Sequence, residues 1–314
     1  MAAFAYKTGP AVSKKAKKRL ANLHAYPTLE TFQNPVTRGI ARRLANDGFR
    51  KCLNEIDFEY RLTDVEYGEA ACVKYETRSS KPGDTIILFI HGGGFITGSP
   101  HANAAMILPT AELSGVEAYG VEYPLLPEGR FPAPIDSVDR LYKALVAEDP
   151  DRKIVLFADS TGCAIALAAV MRWREEGVAS PAGAVLISPV VDGMGASDTH
   201  ITLNSVDPLY NADNGKAWRK LFEFYAPGED LSSPQVSPIY GEFKWAPPML
   251  VHAGTREVCL GDAARLSEKA WTSGGDATLR VFDGMYHLFQ MHWSLDEAKR
   301  AHQDIANFVT RVRR

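Results

Sequence analysis

Cysteine is sparse in this chain. The four present, Cys52, Cys72, Cys163 and Cys259, are scattered with no metal-binding or redox spacing. That excludes a disulfide scaffold and a cysteine-ligated zinc module. Long apolar runs are missing too, so membrane insertion is not expected. Neither sign of charge dominates: a formal net charge of -3 leaves no electrostatic footprint for nucleic acid, and no such partner is expected. The one dense basic cluster, Lys14-Lys15-Ala16-Lys17-Lys18-Arg19, reads as the solvated face of an N-terminal helix. Met1 to Lys15 has no apolar core of a secretory leader, and with the scattered cysteines this makes a reducing cytoplasm the expected location. There is no internal repeat and no low-complexity tract.

What remains is the composition of a globular protein, 46% hydrophobic and 23% charged over 314 residues. That length supports one large core, or one core with a small cap. Residues 1 to about 50 read as helical and basic, interrupted at Pro27 and Pro35, and predict a cap segment ahead of a catalytic unit over 51–314. Phe58–Leu62 and Ala70–Tyr75 predict an edge hairpin. After it, strands and helices alternate. Strands are expected at Thr85–Ile90, Val116–Val121, Lys153–Phe157, Ala184–Ile187, Pro248–His252 and Thr278–Phe282. Helices are expected at Ile135–Ala147, from just after Ser160 to about Trp173, at Asp262–Ser273 and at Leu295–Val312. This rhythm predicts an α/β fold with a mainly parallel central sheet and helices on both faces. Residues 192–246, rich in aromatics and proline, break it and predict an insertion that covers a site.

Three stretches carry chemistry. In Ala158-Asp159-Ser160-Thr161-Gly162, small residues flank a serine at a strand-to-helix junction, where a tight turn presents a nucleophile and the helix N-terminus favours negative charge. His91-Gly92-Gly93-Gly94-Phe95 follows a buried strand, and its glycines allow backbone N–H groups to face a ligand closely. His287 lies just past a strand end, able to reach a serine at a neighbouring strand end. His24, His91, His101, His252 and His302 sit where packing or surface roles suffice. An acid to hold the imidazole would be Glu257 or Asp262, both in the loop after the preceding strand. The order serine, acid, histidine is that of α/β-hydrolases.

From about residue 60 onward the chain resembles the hormone-sensitive-lipase-like esterases of the α/β-hydrolase fold. His91-Gly92-Gly93-Gly94-Phe95 is similar to that family's oxyanion motif. Glu122-Tyr123-Pro124-Leu125-Leu126-Pro127-Glu128, followed by Phe131-Pro132-Ala133, is similar to its D-Y-R-L-A-P-E stretch. Ser237-Pro238-Ile239, Pro247-Pro248 and Gly284-Met285-Tyr286-His287-Leu288-Phe289 also fit. The resemblance implies Ser160 as nucleophile, His287 as base and Glu257, three residues after Gly254, as the acid, with Asp262 left to cap a helix. It implies oxyanion donors at the N–H groups of Gly93, Gly94 and Thr161. It also implies hydrolysis of small-molecule esters of short acyl chains, without metal or cofactor, and admits a homodimer. Departures stand at Ala158, Thr161 and Cys163, where the family usually reads G-D-S-A-G-G, and at Pro124 in place of an arginine. These departures are expected to narrow the acyl pocket or lower activity, and Cys163 to fill space in the first helical turn, with a reactive thiol at the helix N-terminus as the alternative. A lactone, carbamate or amide could be served by the same residues. A non-catalytic receptor on this fold is the other alternative, and the retained His287 argues against it.

Overall fold

The structure, a computed structural model, describes Gly9, residues 11–210 and residues 212–314. The first residues of the expected cap, and most of the stretch read for a leader, lie outside that range. Eight strands form one sheet: β1 (Tyr60–Tyr67), β2 (Ala70–Thr77), β3 (Lys81–Ile90), β4 (Val116–Val121), β5 (Lys153–Asp159), β6 (Gly183–Ile187), β7 (Met249–Gly254) and β8 (Ala277–Phe282). Their order is β1-β2-β4-β3-β5-β6-β7-β8, with β2 antiparallel to both β1 and β4 and every other pairing parallel.

The helices are α1 (Lys14–Leu20), α2 (Leu29–Gln33), α3 (Pro35–Lys51), α4 (Ala104–Ser114), α5 (Ala133–Glu148), α6 (Gly162–Glu176), α7 (Thr199–Thr202), α8 (Lys216–Tyr225), α9 (Leu260–Thr272) and α10 (Asp296–Val312). Successive residues of a strand face opposite sides, and the central strands are apolar on both. Ile86, Leu88, Ile90 and Leu156 enter one core with α5, α6 and α9. Ile87, Phe89, Val155 and Phe157 enter a second core with α4 and α10. Both faces of the sheet are therefore covered, which is why these strands read as unbroken hydrophobic runs.

Three helices went unread in the sequence: α4, the single-turn α7 and α8. Helix α4 is buried on all sides of its first two turns and carries Pro109 within it, so it has neither a polar face nor an uninterrupted pattern. Helix α8 sits inside the 192–246 insertion and buries Trp218, Leu221, Phe222 and Tyr225. The insertion and the N-terminal segment meet: the Tyr26 N–H donates to the Leu209 carbonyl at 2.9 Å, and the rings of Tyr26 and Tyr210 lie 5.3 Å apart. Among the described residues, no helix is long and apolar enough to cross a membrane.

Candidate active site

Strand β5 ends at Asp159, and the chain turns into α6 within two residues. Ser160 pivots there with φ 52°, left-handed backbone that non-glycine residues adopt only under constraint. The constraint is visible. The Ser160 N–H donates to the Ile187 carbonyl at 2.8 Å, and the Ser160 carbonyl accepts from Val190 and Cys163 at 3.1 Å each. Gly162 is required by close approach: a Cβ there would collide with the carbonyl oxygens of Ile90 and His91. Ala158 is fully buried in the core, which absorbs its methyl. Cys163 is also fully buried; its thiol lies 3.7 Å from the Ile187 carbonyl and burial pushes it well above the usual thiol range, so it fills space.

Ser160 Oγ is 3.1 Å from His287 Nε2, and His287 Nδ1 is 2.8 Å from Glu257 Oε2. All three side chains are buried. With a carboxylate facing Nδ1, the ring proton belongs on Nδ1 and Nε2 is left as an acceptor for the serine hydroxyl. The other oxygen of Glu257, Oε1, accepts from the Gly254 N–H at 2.5 Å and from Ser188 Oγ at 3.0 Å, which fixes the carboxylate plane. Ser188 was not foreseen. It stands directly after β6 with φ 47°, and a polar residue at a parallel strand's carboxyl end was the only sign it offered.

Asp262 does something other than cap a helix. It lies in the first turn of α9, where Cys259 is the capping position. Its carboxylate instead accepts from the Val191 N–H at 3.1 Å and from Ser197 Oγ at 2.5 Å, with His200 Nε2 3.7 Å away. Burial raises Asp262 to about 6. The group ties α9 to the start of the insertion, and among the described residues its polar partners do not include His287, whose Nδ1 faces Glu257.

The glycine run passes directly over the serine, so that a Cβ on Gly92 would lie 2.7 Å from Ser160 Cβ. Gly93, Gly94 and Phe95 take φ of 116°, 65° and 60°, a curl that turns successive N–H groups inward. Among the described residues the N–H groups of Gly93, Gly94 and Thr161 find no acceptor. The Phe95 N–H does: it donates to Thr161 Oγ1 at 3.3 Å. The Thr161 side chain is thus turned toward the glycine loop, a contact its β-branched character did not announce. Phe95 is held from its other side by Tyr225, with ring centroids 4.0 Å apart and the planes nearly parallel.

Burial pushes Asp159 up to about 7, against the pull of the Gly92 backbone N–H and the His287 ring. His91 is stacked on Tyr123 at 4.3 Å and burial lowers it to about 4, in keeping with a packing role. The described residues contain one trio with ligand-type atoms within 4.8 Å of one another, Glu257, Cys259 and His287. His287 Nδ1 and Glu257 already bond each other, and burial pushes the Cys259 thiol well above its usual range.

Beside His287 opens a cavity of about 870 Å³, walled on one side by the histidine loop and on the other by α3 and the chain before it.

Comparison with known proteins gives a consistent picture. The sequence profile of a family described as alpha/beta hydrolase fold matches residues 87–291. An esterase of Acinetobacter venetianus is 32% identical over 240 residues, spanning 75% of this chain and 78% of that protein. An acetyl-hydrolase of Streptomyces hygroscopicus is 29% identical over 234 residues, 73% of this chain and 77% of that one. The crystal structure of an esterase from the bacterial hormone-sensitive lipase family superposes with a TM-score of 0.80 at 28% identity, covering 95% of each chain.

Proposed function

The chain belongs to the α/β-hydrolase-fold family, among its hormone-sensitive-lipase-like esterases, and from that premise we propose that it is a serine carboxylic-ester hydrolase for short acyl groups. One observation carries the reading: the line of contacts from Ser160 Oγ through His287 to Glu257, at 3.1 and 2.8 Å. Ser160 attacks the ester carbonyl while His287 Nε2 takes its proton. Glu257 holds the Nδ1 proton and stabilises the imidazolium that forms. The carbonyl oxygen becomes an anion facing the N–H groups of Gly93, Gly94 and Thr161, and losing one such donor costs about 2.7–4 kcal/mol. His287 then returns the proton to the leaving alcohol, and water, activated the same way, releases the acid. The scheme calls on no metal or cofactor. Residues 1–50 act in this reading as a cap on the catalytic unit 51–314; the cavity between α3 and the histidine loop supports that division. A short acyl group is supported by the enclosure of the elbow and by the relative named an acetyl-hydrolase.

Hydrolysis of p-nitrophenyl acetate tests the assignment. Ser160→Ala should lower kcat by at least about a thousandfold with the fold intact. Glu257→Gln should also lose orders of magnitude, whereas Asp262→Asn should keep most of its activity and lose stability instead. A Ser160→Ala protein near wild-type rate would remove the nucleophile from this reading.

A further inference from the structure

The N-terminal helices hold a surface that the reaction does not use. Between Lys14 and Lys51, ten Lys and Arg stand against two acids, Glu30 and Asp47, a formal charge of +8 in a chain whose total is -3. Arg19 pairs with Glu55, Arg42 with Glu128, and Asp47 lies between Arg43 at 3.9 Å and Arg50 at 3.2 Å. Glu30 faces Lys220 of α8 at 3.8 Å. Among the described residues, Lys14, Lys15, Lys18 and Lys51 are exposed and pair with no carboxylate. The same helices leave an apolar stripe in water. Val36, Ile40 and Leu44, four residues apart on α3, form one ridge and are 81%, 65% and 66% exposed, while the other side of the helix packs through Ala41 and Phe49. No other described helix or strand leaves more than one large apolar side chain exposed. At about 3.6 residues per turn, Arg43, Asp47 and Lys51 fall on the same outward arc as the stripe. The Arg19–Glu55 pair ties the last turn of α1, with Lys17 and Lys18, to the chain just past α3, and Leu23 borders one depression with Ile40 and Leu44.

We propose that this face docks the protein on an anionic lipid bilayer. Helix α3 lies in the interface, with Val36, Ile40 and Leu44 turned into the boundary between headgroups and acyl chains and the cations of α1 and α3 on the lipid phosphates. The stripe and the charge together select the occupant. A second copy of the chain would cover the stripe but set like charge against like across a two-fold contact. A nucleic acid or other polyanion would meet the cations and leave the stripe in water. A bilayer with acidic headgroups answers both. Docking runs along the surface, since no described helix is long and apolar enough to cross a membrane. It requires nothing of Ser160 or His287, so it holds whether or not the protein hydrolyses esters.

Co-sedimentation of the full chain with lipid vesicles tests the proposal. Vesicles of phosphatidylcholine and phosphatidylglycerol in equal parts should bind it at least about tenfold more tightly than phosphatidylcholine alone, and added salt should weaken that binding. The triple variant Val36→Gln, Ile40→Gln, Leu44→Gln places good helix formers on an exposed face and should bind the mixed vesicles at least about tenfold more weakly, with an unchanged circular dichroism spectrum. Lys15→Gln with Lys18→Gln should weaken binding by a similar factor, since each cation near an anionic surface is worth about fivefold. Equal partition onto the two vesicle types, or wild-type binding to mixed vesicles by either variant, would overturn the proposal. Retention on heparin without vesicle binding would overturn it by assigning the face to a polyanion. A dimer that the triple glutamine variant dissociates, without vesicle binding, would overturn it by assigning the stripe to a second copy.

Discussion

Thr161 is the residue whose role changes most between sequence and structure. Read from the chain alone, it is bulk beside the oxyanion site. In the fold its hydroxyl accepts the Phe95 N–H at 3.3 Å, so it braces the glycine loop against the elbow. Removing that bond without changing shape should matter more than removing the methyl. Thr161→Val is expected to lower kcat about 2–10-fold for all short esters with little change in KM, the worth of one ordinary hydrogen bond. Thr161→Ser should restore kcat. A valine protein with wild-type kcat would show that the loop is held by the Phe95–Tyr225 stack instead. Site residues were legible here where chemistry restricts the residue type: a serine between small neighbours, a glycine run after a buried strand, a histidine past a strand end. Ser188 was not legible, because a serine at a strand end suits many roles and only the fold brings it 3.0 Å from Glu257.

Elements were legible in proportion to how one-sided or how short and apolar they are. The buried strands announced themselves as runs of β-branched and aromatic residues, and α5 and α10 as amphipathic patterns. Helix α4 could not be read because burial on every side erases the periodic signal. The order of strands in the sheet rests on long-range packing that no local pattern encodes. The N-terminal segment was legible as helical, but its attachment was not. Glu55, just after α3, is the clasp: it pairs with Arg19 of α1, accepts from the Ser294 hydroxyl and faces His292 Nδ1 at 3.2 Å. Burial alone would raise Glu55, yet the bonds from His292 and Ser294 and the charge of Arg19 outweigh it and hold the group at about 2. A carboxylate depressed in the fold stabilises it fully above its unfolded pKa of about 4.5 and loses that contribution as pH falls toward about 2. Glu55→Gln should therefore lower Tm at pH 7 by a few degrees, and the difference from wild type should shrink as pH falls through that window. It should also speed proteolytic nicking between α1 and α3. A Tm difference that is constant from pH 7 to pH 3 would remove the carboxylate's charge from the explanation.

At the scale of the molecule, the parallel sheet sets the chemistry. Ser160, Glu257 and His287 lie on loops that follow β5, β7 and β8, and Gly93 and Gly94 follow β3, so the carboxyl ends of the parallel strands gather residues far apart in sequence. The antiparallel β1–β2 hairpin forms one lateral edge of the sheet and carries none of them. The helices before β1 and the insertion between β6 and β7 come together near these strand ends through Tyr26, Leu209 and Tyr210, and Tyr210 meets the His287 ring edge-on at 5.0 Å. The account depends above all on Ser160 being activated in this setting. Incubation of the folded protein with a fluorophosphonate, followed by peptide mass mapping, tests that without knowledge of the substrate. The account predicts one stoichiometric adduct on Ser160, lost in Ser160→Ala and strongly slowed in His287→Ala. An unlabelled protein, or an adduct on another residue that survives Ser160→Ala, would contradict it.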